Sequence, residues 1–344
     1  MWSRREWASS ARRAKFAYPV YPRRGLRPAT PICDASPMRR SPFPRIGWPA
    51  CALALALLAG CSDEREPFAR LSGLMVDDAL GEVSGMAASR RHADVLWAEN
   101  DGGNTPVLYA VSPRGSLLAR DRVEGVANTD WEDLAAFDLD GHHYILIADT
   151  GDNGGLRRTL QLHVVKEPAS LKDTVLRPAW SVSFRWPDGP RDCEAAFVDA
   201  AAGKVLLISK KRHPPELFEL PLRAAAGATP VARRLGTLAG VPQADARSLR
   251  DRPKTARLIG QVTAADLSPD GRTLAVLTYQ DVLFYPRKDG ESWAQAVARK
   301  PRIESLPAVL PQAEALAWSA NGAGLYASGE FRPAPIFYLD PTGD

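Results

Sequence analysis

Cysteine is scarce: there are four in a chain of 344 residues, and Cys33, Cys51 and Cys61 all fall near its beginning. Cys193 stands alone in the remainder, so one mature chain has no internal disulfide available to it. Long apolar runs are also missing. The stretch IGWPACALALALLAGC at residues 46–61 is shorter than the ~18 to 20 apolar residues a spanning helix needs. There is no Gly-x-Ser-x-Gly elbow, no phosphate-cradling glycine loop and no nucleic-acid motif. His92, His142, His143, His163 and His213 are scattered without zinc spacing. Cys193 lies between Asp192 and Glu194, whose charges disfavour a thiolate. Nucleophilic catalysis therefore finds little support, and neither zinc spacing nor a nucleic-acid motif is present.

What is present begins with a secretory grammar. Arg39, Arg40 and Arg45 precede the short apolar run, which ends in small residues, as a signal peptide requires. Its last four residues, Leu58-Ala59-Gly60-Cys61, match the bacterial lipobox, in which the cysteine is diacylated and becomes the mature N-terminus. The expected organisation is a signal peptide at 38–60, a lipidated tether at 61–67 and a folded domain at 68–344. Residues 1–37, rich in Arg, Pro and Ala without hydrophobic periodicity, read as a misassigned start upstream of Met38 or a disordered extension. A lipid on Cys61 would anchor the chain to a membrane rather than thread it through one. Ser62 after the cysteine fits outer-membrane sorting, facing the periplasm. Taking away the eleven basic and two acidic residues of positions 1–60 leaves 33 basic against 38 acidic, so the formal charge passes from +4 to −5. No basic block is left for nucleic acid.

The folded part carries a repeat. Asp133-Leu134-Ala135-Ala136-Phe137-Asp138 aligns with Glu194-Ala195-Ala196-Phe197-Val198-Asp199 and Glu314-Ala315-Leu316-Ala317-Trp318-Ser319, and more weakly with segments starting at Ser84 and Thr263. A turn follows each copy, several with glycine as hairpins favour, for example Asp140-Gly141, Asp270-Gly271 and Asn321-Gly322. Second and third apolar runs come next, such as Val205-Leu206-Leu207-Ile208 and Leu217-Phe218-Glu219-Leu220. Short strands in units of about 40 to 50 residues predict an all-β propeller of five blades. The long interval before Thr263 leaves room for a sixth, around residues 223–257. The last blade runs out of chain before an outer strand, so Phe68 to Val76 is expected to supply it and close the ring.

In such a ring, Ser84, Asp133, Glu194, Thr263 and Glu314 would start the innermost strands and meet at the channel mouth, with Glu132 and Asp192 beside them. Converging carboxylates raise one another's pKa values unless a cation neutralises them. This suggests a divalent cation such as Ca²⁺ or a cationic ligand, while pairing with Arg157, Arg158 or Arg191 would make the cluster structural. Asp101, Asp149, Asp152 and Asn153, in glycine-containing loops, form a second candidate for Ca²⁺, which takes six to eight oxygens. They also suit tight polar turns that need no metal.

The ordered series DWED at 130–133, DTGDN at 149–153, PDGPRDCEA at 187–195, VTAADLSPDG at 262–271 and QAEA at 312–315 resembles a family of uncharacterised secreted bacterial β-propellers. The resemblance spans nearly all of residues 80–340 and implies the fold without bringing an activity. Two functions stay open on these residues: a lipid-anchored module binding a ligand or envelope protein, or a metal-dependent hydrolase of the lactonase or phosphoesterase sort using channel carboxylates.

Overall fold

A computed structural model describes residues 67–310 and 312–342. The expected extension, signal peptide, Cys61 and most of the tether lie outside these residues. No helix among the described residues is long and apolar enough to cross a membrane.

The second apolar run of each repeat determines the architecture. These runs form strands β3 (Leu96–Asn100), β7 (His142–Asp149), β12 (Lys204–Ser209), β16 (Thr273–Thr278) and β20 (Leu325–Gly329). Side chains alternate between the two faces of a strand, so a run apolar at every position must be covered on both faces. In β12, Val205 and Leu207 pack toward one neighbouring blade while Leu206 and Ile208 pack toward the other. In β7, Tyr144 and Leu146 go one way and Ile145 and Ile147 the other. Each fully buried aliphatic side chain contributes about 1.5–3 kcal/mol relative to exposure.

Five cores result, one between each pair of adjacent blades. The inner strands β2 (Val83–Ala88), β6 (Trp131–Leu139), β11 (Cys193–Asp199), β15 (Val262–Leu267) and β19 (Ala313–Trp318) contact one another in that cyclic order, β19 returning to β2. Blade 1 continues from β3 through β4 (Val107–Val111) and β5 (Leu117–Val123), and a short parallel strand, β9 (Thr174–Leu176), joins its outer edge. Blade 2 adds β8 (Leu160–Lys166) and β10 (Pro178–Phe184). Blade 3 adds β13 (Glu216–Pro221) and β14 (Arg233–Thr237), and blade 4 adds β17 (Asp281–Pro286) and β18 (Arg302–Ser305). The hairpin between β6 and β7 turns at Asp140-Gly141, with φ of 53° and 75°, a left-handed pair that Gly and Asp tolerate best.

Blade 5 is completed from the other end of the chain. Strand β1 (Ala69–Met75) pairs antiparallel with β21 (Ala334–Leu339), matching Ala69 to Leu339 and Met75 to Ala334. The protein is therefore an all-β propeller of five blades, closed by an N-terminal outer strand. The region that might have concealed a sixth blade holds β14 and two short helices, α1 (Ala246–Asp251) and α2 (Pro253–Ala256). Asp245 caps α1 by accepting from the Ser248 N–H, while a third helix, α3 (Trp293–Val297), carries a Ser292/Gln295 capping box.

Candidate functional site

Every inner strand begins with a bulge, and the bulges reveal which residues are equivalent. Pairing with the second strand slips between Val83 and Gly85, Trp131 and Asp133, Cys193 and Ala195, Val262 and Ala264, and Ala313 and Ala315. The bulged residues are thus Ser84, Glu132, Glu194, Thr263 and Glu314. Glu132, rather than Asp133, is the blade 2 counterpart of Glu194. Bulges re-aim side chains and recur next to binding sites, and a one-residue slip moves a side chain to the other face.

Asp133 consequently does a different job. Its Oδ2 accepts from the Ala196 N–H at 2.9 Å and the Ala265 N–H at 3.2 Å, and Oδ1 from the Leu134 N–H at 2.9 Å. One fully buried carboxyl thereby links blade 2 to blades 3 and 4. Its pKa is pushed well up by burial, against the pull of those backbone donors. Asp266 acts similarly, accepting from Trp318 N–H of blade 5 at 2.7 Å and from Leu267 N–H at 2.8 Å. The hydroxyls are struts as well: Ser84 Oγ donates to the Glu132 carbonyl at 3.1 Å, and Thr263 Oγ1 to the Ala313 carbonyl at 2.8 Å.

A second ring comes from the residue just after each second strand: Asp101, Thr150, Lys210, Tyr279 and Glu330. Lys210 and Tyr279 were not among the residues expected from sequence. They lie outside the periodic runs, and only aligning the ends of the second strands would have singled them out. Lys210 is 6% exposed and its Nζ pairs with Glu194 Oε2, lies 3.9 Å from Glu314 Oε1 and sits 5.1 Å from the centre of the Tyr279 ring. Tyr279 donates its hydroxyl to Glu314 Oε1 at 2.9 Å. Burial disfavours the charge on Lys210, but Glu194, Glu314 and Glu132 outweigh it and hold the ammonium well above its ordinary range.

The other side of the mouth is organised by backbone contacts. Asn128 donates to the carbonyls of Asn100 and Asp101 at 2.8 and 3.1 Å, and accepts from the Trp131 N–H at 3.0 Å, tying the blade 1 loop to the start of blade 2. Asp149 accepts from the Asp130 N–H at 3.1 Å and pairs with Arg157 at 2.6 Å. Asp101, Asp130 and Glu132 are thereby brought together, with one carboxylate oxygen from each lying within 4.8 Å of the others. Glu132, Asp192 and Glu194 form a second such group. Burial, Glu194 and Asp101 push the Glu132 carboxyl well up. Asp130 is raised to about 6 and Glu330 to about 8, in each case first by burial and then by neighbouring carboxylates.

The loop candidates divide. Asp149 is occupied by Arg157 and the Asp130 N–H. Asp152 accepts from Leu156 N–H at 2.7 Å and Arg157 N–H at 3.0 Å. Exposed Asn153 accepts from Lys211 at 2.6 Å. These three are taken up by hydrogen bonds within their loop, to the start of blade 2 and to Lys211 of blade 3, and of the four only Asp101 joins a carboxylate group of the mouth. Arg157 pairs within the loop and Arg158 is exposed, while Arg191 turns away to Glu216 and Asp188. Cys193 is buried, its Sγ donates to the Ile208 carbonyl at 3.3 Å, and burial pushes the thiol up to about 12.

No family model and no curated protein matches the chain. Among solved structures, a chain from the "Crystal structure of Nidogen/Laminin Complex" is similar over 72% of each chain, at 13% identity and a TM-score of 0.38, a likeness too low to carry an argument.

Proposed function

We propose that this protein is a lipid-anchored binding module of the bacterial cell envelope that receives a cationic group of a ligand or protein partner at its acidic mouth. One observation carries the reading. Of the ten register-equivalent mouth positions, five are carboxyls (Asp101, Glu132, Glu194, Glu314 and Glu330) and one is a lysine. A mouth in which carboxyls outnumber cations attracts positive charge. The anchor and the outer-membrane, periplasm-facing location rest on the Leu58–Cys61 lipobox and Ser62. The ordered motif series supports a secreted propeller.

Palmitate labelling that disappears in Cys61→Ala, with release of the protein from outer-membrane fractions, tests the anchor. Titration with spermidine and with an arginine-rich peptide tests the mouth. Binding weakened at least fivefold by Glu314→Gln together with Glu330→Gln supports the reading, and unchanged binding overturns it. The carboxylate group at Glu132 favours a second reading, a metal-dependent hydrolase. Metal-dependent turnover of a lactone or phosphomonoester, lost in Glu132→Gln, would establish that one.

A further inference from the structure

The two carboxylate groups of the mouth share Glu132 and differ in their other members. In the Glu132–Asp192–Glu194 group, Glu194 is paired with buried Lys210, and Asp192 lies 2.7 Å from Lys211 Nζ while accepting from the Asp152 N–H at 2.8 Å. In the Asp101–Asp130–Glu132 group, Glu132 is 3% exposed, and its Oε2 accepts a hydrogen bond from Ser84 at 3.3 Å. Its other oxygen, Oε1, is buried and has no hydrogen-bond partner among the described residues. Such an oxygen is costly to bury, and in a native fold it calls for an explanation such as an ion. We propose that Asp101, Asp130 and Glu132 form a Ca²⁺ site at the mouth of the channel.

The surroundings fit an ion held by oxygens. A Cβ on Gly151 would fall 1.9 Å from Glu132 Oε1, and one on Gly102 would fall 2.1 Å from Asp130 Oδ1. Side chains at these two positions would fill the space beside the carboxylates, so the loops approach them bare. The three oxygens lie within 4.8 Å of one another. Ligands of one Ca²⁺ stand at most about 4.6–5.2 Å apart, twice its usual bond length, so the spread of these oxygens is compatible with a single ion. Three carboxylates supply up to six oxygens, and water can complete the shell. The site rests on the reading of the mouth as cation-binding and assigns Ca²⁺ to the blade 1–blade 2 side.

The test is calorimetric titration of the EDTA-stripped full-length protein in detergent with CaCl₂, alongside Glu132→Gln, Asp130→Asn and, at exposed acids outside the mouth, Asp138→Asn and Asp289→Asn. One site in the wild type, weakened at least tenfold in Glu132→Gln and in Asp130→Asn and by less than threefold in the other two, is the expected result. The metal-free Glu132→Gln protein should melt no lower than the wild type, because a buried acid crowded by other carboxyls becomes a neutral amide of the same shape, so lost binding there is not lost folding. Absence of Ca²⁺ binding below 1 mM (about −4 kcal/mol), or binding that survives both substitutions, overturns the site. Spermidine binding that persists without Ca²⁺ binding defeats this inference alone, whereas loss of both defeats the cation-binding mouth as well.

Discussion

Replacing Lys210 with Met removes the buried cation from the Glu194 and Glu314 side of the mouth while keeping an unbranched apolar stem. The Lys210 side chain is 8% exposed, that of Glu194 is 4% and that of Glu314 is 8%, so water can screen little of what is lost. At an effective dielectric constant near 20, the contact of 3.9 Å between Lys210 and Glu314 alone amounts to about 4 kcal/mol of attraction. The pair with Glu194 is closer, and the desolvation of all three groups offsets part of the sum. Removing one partner of a buried pair leaves an uncompensated charge and costs about 3–5 kcal/mol. In equilibrium urea unfolding at pH 7.5, with a slope of about 3 kcal/mol/M, the midpoint of Lys210→Met should fall by about 1–1.7 M. At pH 5 the orphaned carboxyls take up protons, and the loss should shrink by half or more. Adding Glu194→Gln to Lys210→Met should recover part of it at pH 7.5. A midpoint shift under about 0.3 M, or the same shift at both pH values, would refute the assignment of Lys210 as the neutralising charge.

Two further outcomes concern the buried acids that bridge blades. Asp133→Ala leaves the Ala196 and Ala265 N–H groups without their acceptor, at about 1–3 kcal/mol each. Urea unfolding should show Asp133→Asn, which keeps an oxygen there, to be at least 1 kcal/mol less damaging than Asp133→Ala. Equal losses in both variants would contradict the bridging role. Asp266 is raised by burial from 3.8 to about 7, so its contribution is fully present below the unfolded pKa and is lost as pH climbs through 7. The difference amounts to about 4 kcal/mol at most. Stability measured from pH 4 to pH 8 should decline less in Asp266→Asn than in the wild type, and parallel profiles would exclude the effect.

The blades were legible because their second strands each carry a short run of consecutive apolar residues, a pattern that demands cover on both faces wherever it recurs. The closing strand was legible for a related reason: Ile336 to Leu339 lacked an outer partner, and Phe68 to Val76 had no other place to go. The bulges were not. An inserted residue leaves no mark in composition, and the tandem acids Glu132 and Asp133 offered two alignments, of which the more regular apolar match selected Asp133. Hydrogen-bonding direction was equally hidden. Asp149 and Asp152 resemble ligands in a glycine-rich loop until their oxygens are seen to accept from Arg157 and neighbouring N–H groups. The pairing of Lys210 with Glu194 joins the end of one strand to the bulge of the strand beside it, and a linear alignment of strand starts alone does not bring the two together.

The partnership of β1 with β21 also constrains the order of folding. A ribosome delivers β1 before any blade and β21 after all the others, so the ring stays open throughout synthesis. During that interval β1 offers an unpaired edge bearing Leu71 and Leu74, which are still 56% and 42% exposed after folding. Exposed edges of this composition invite pairing with other chains. A translation stop within β20 or β21 would leave four blades with only the three cores between them, and β1 without its partner. One blade formed by β1 of one molecule and β21 of another would turn the same contact into a route to swapped assemblies.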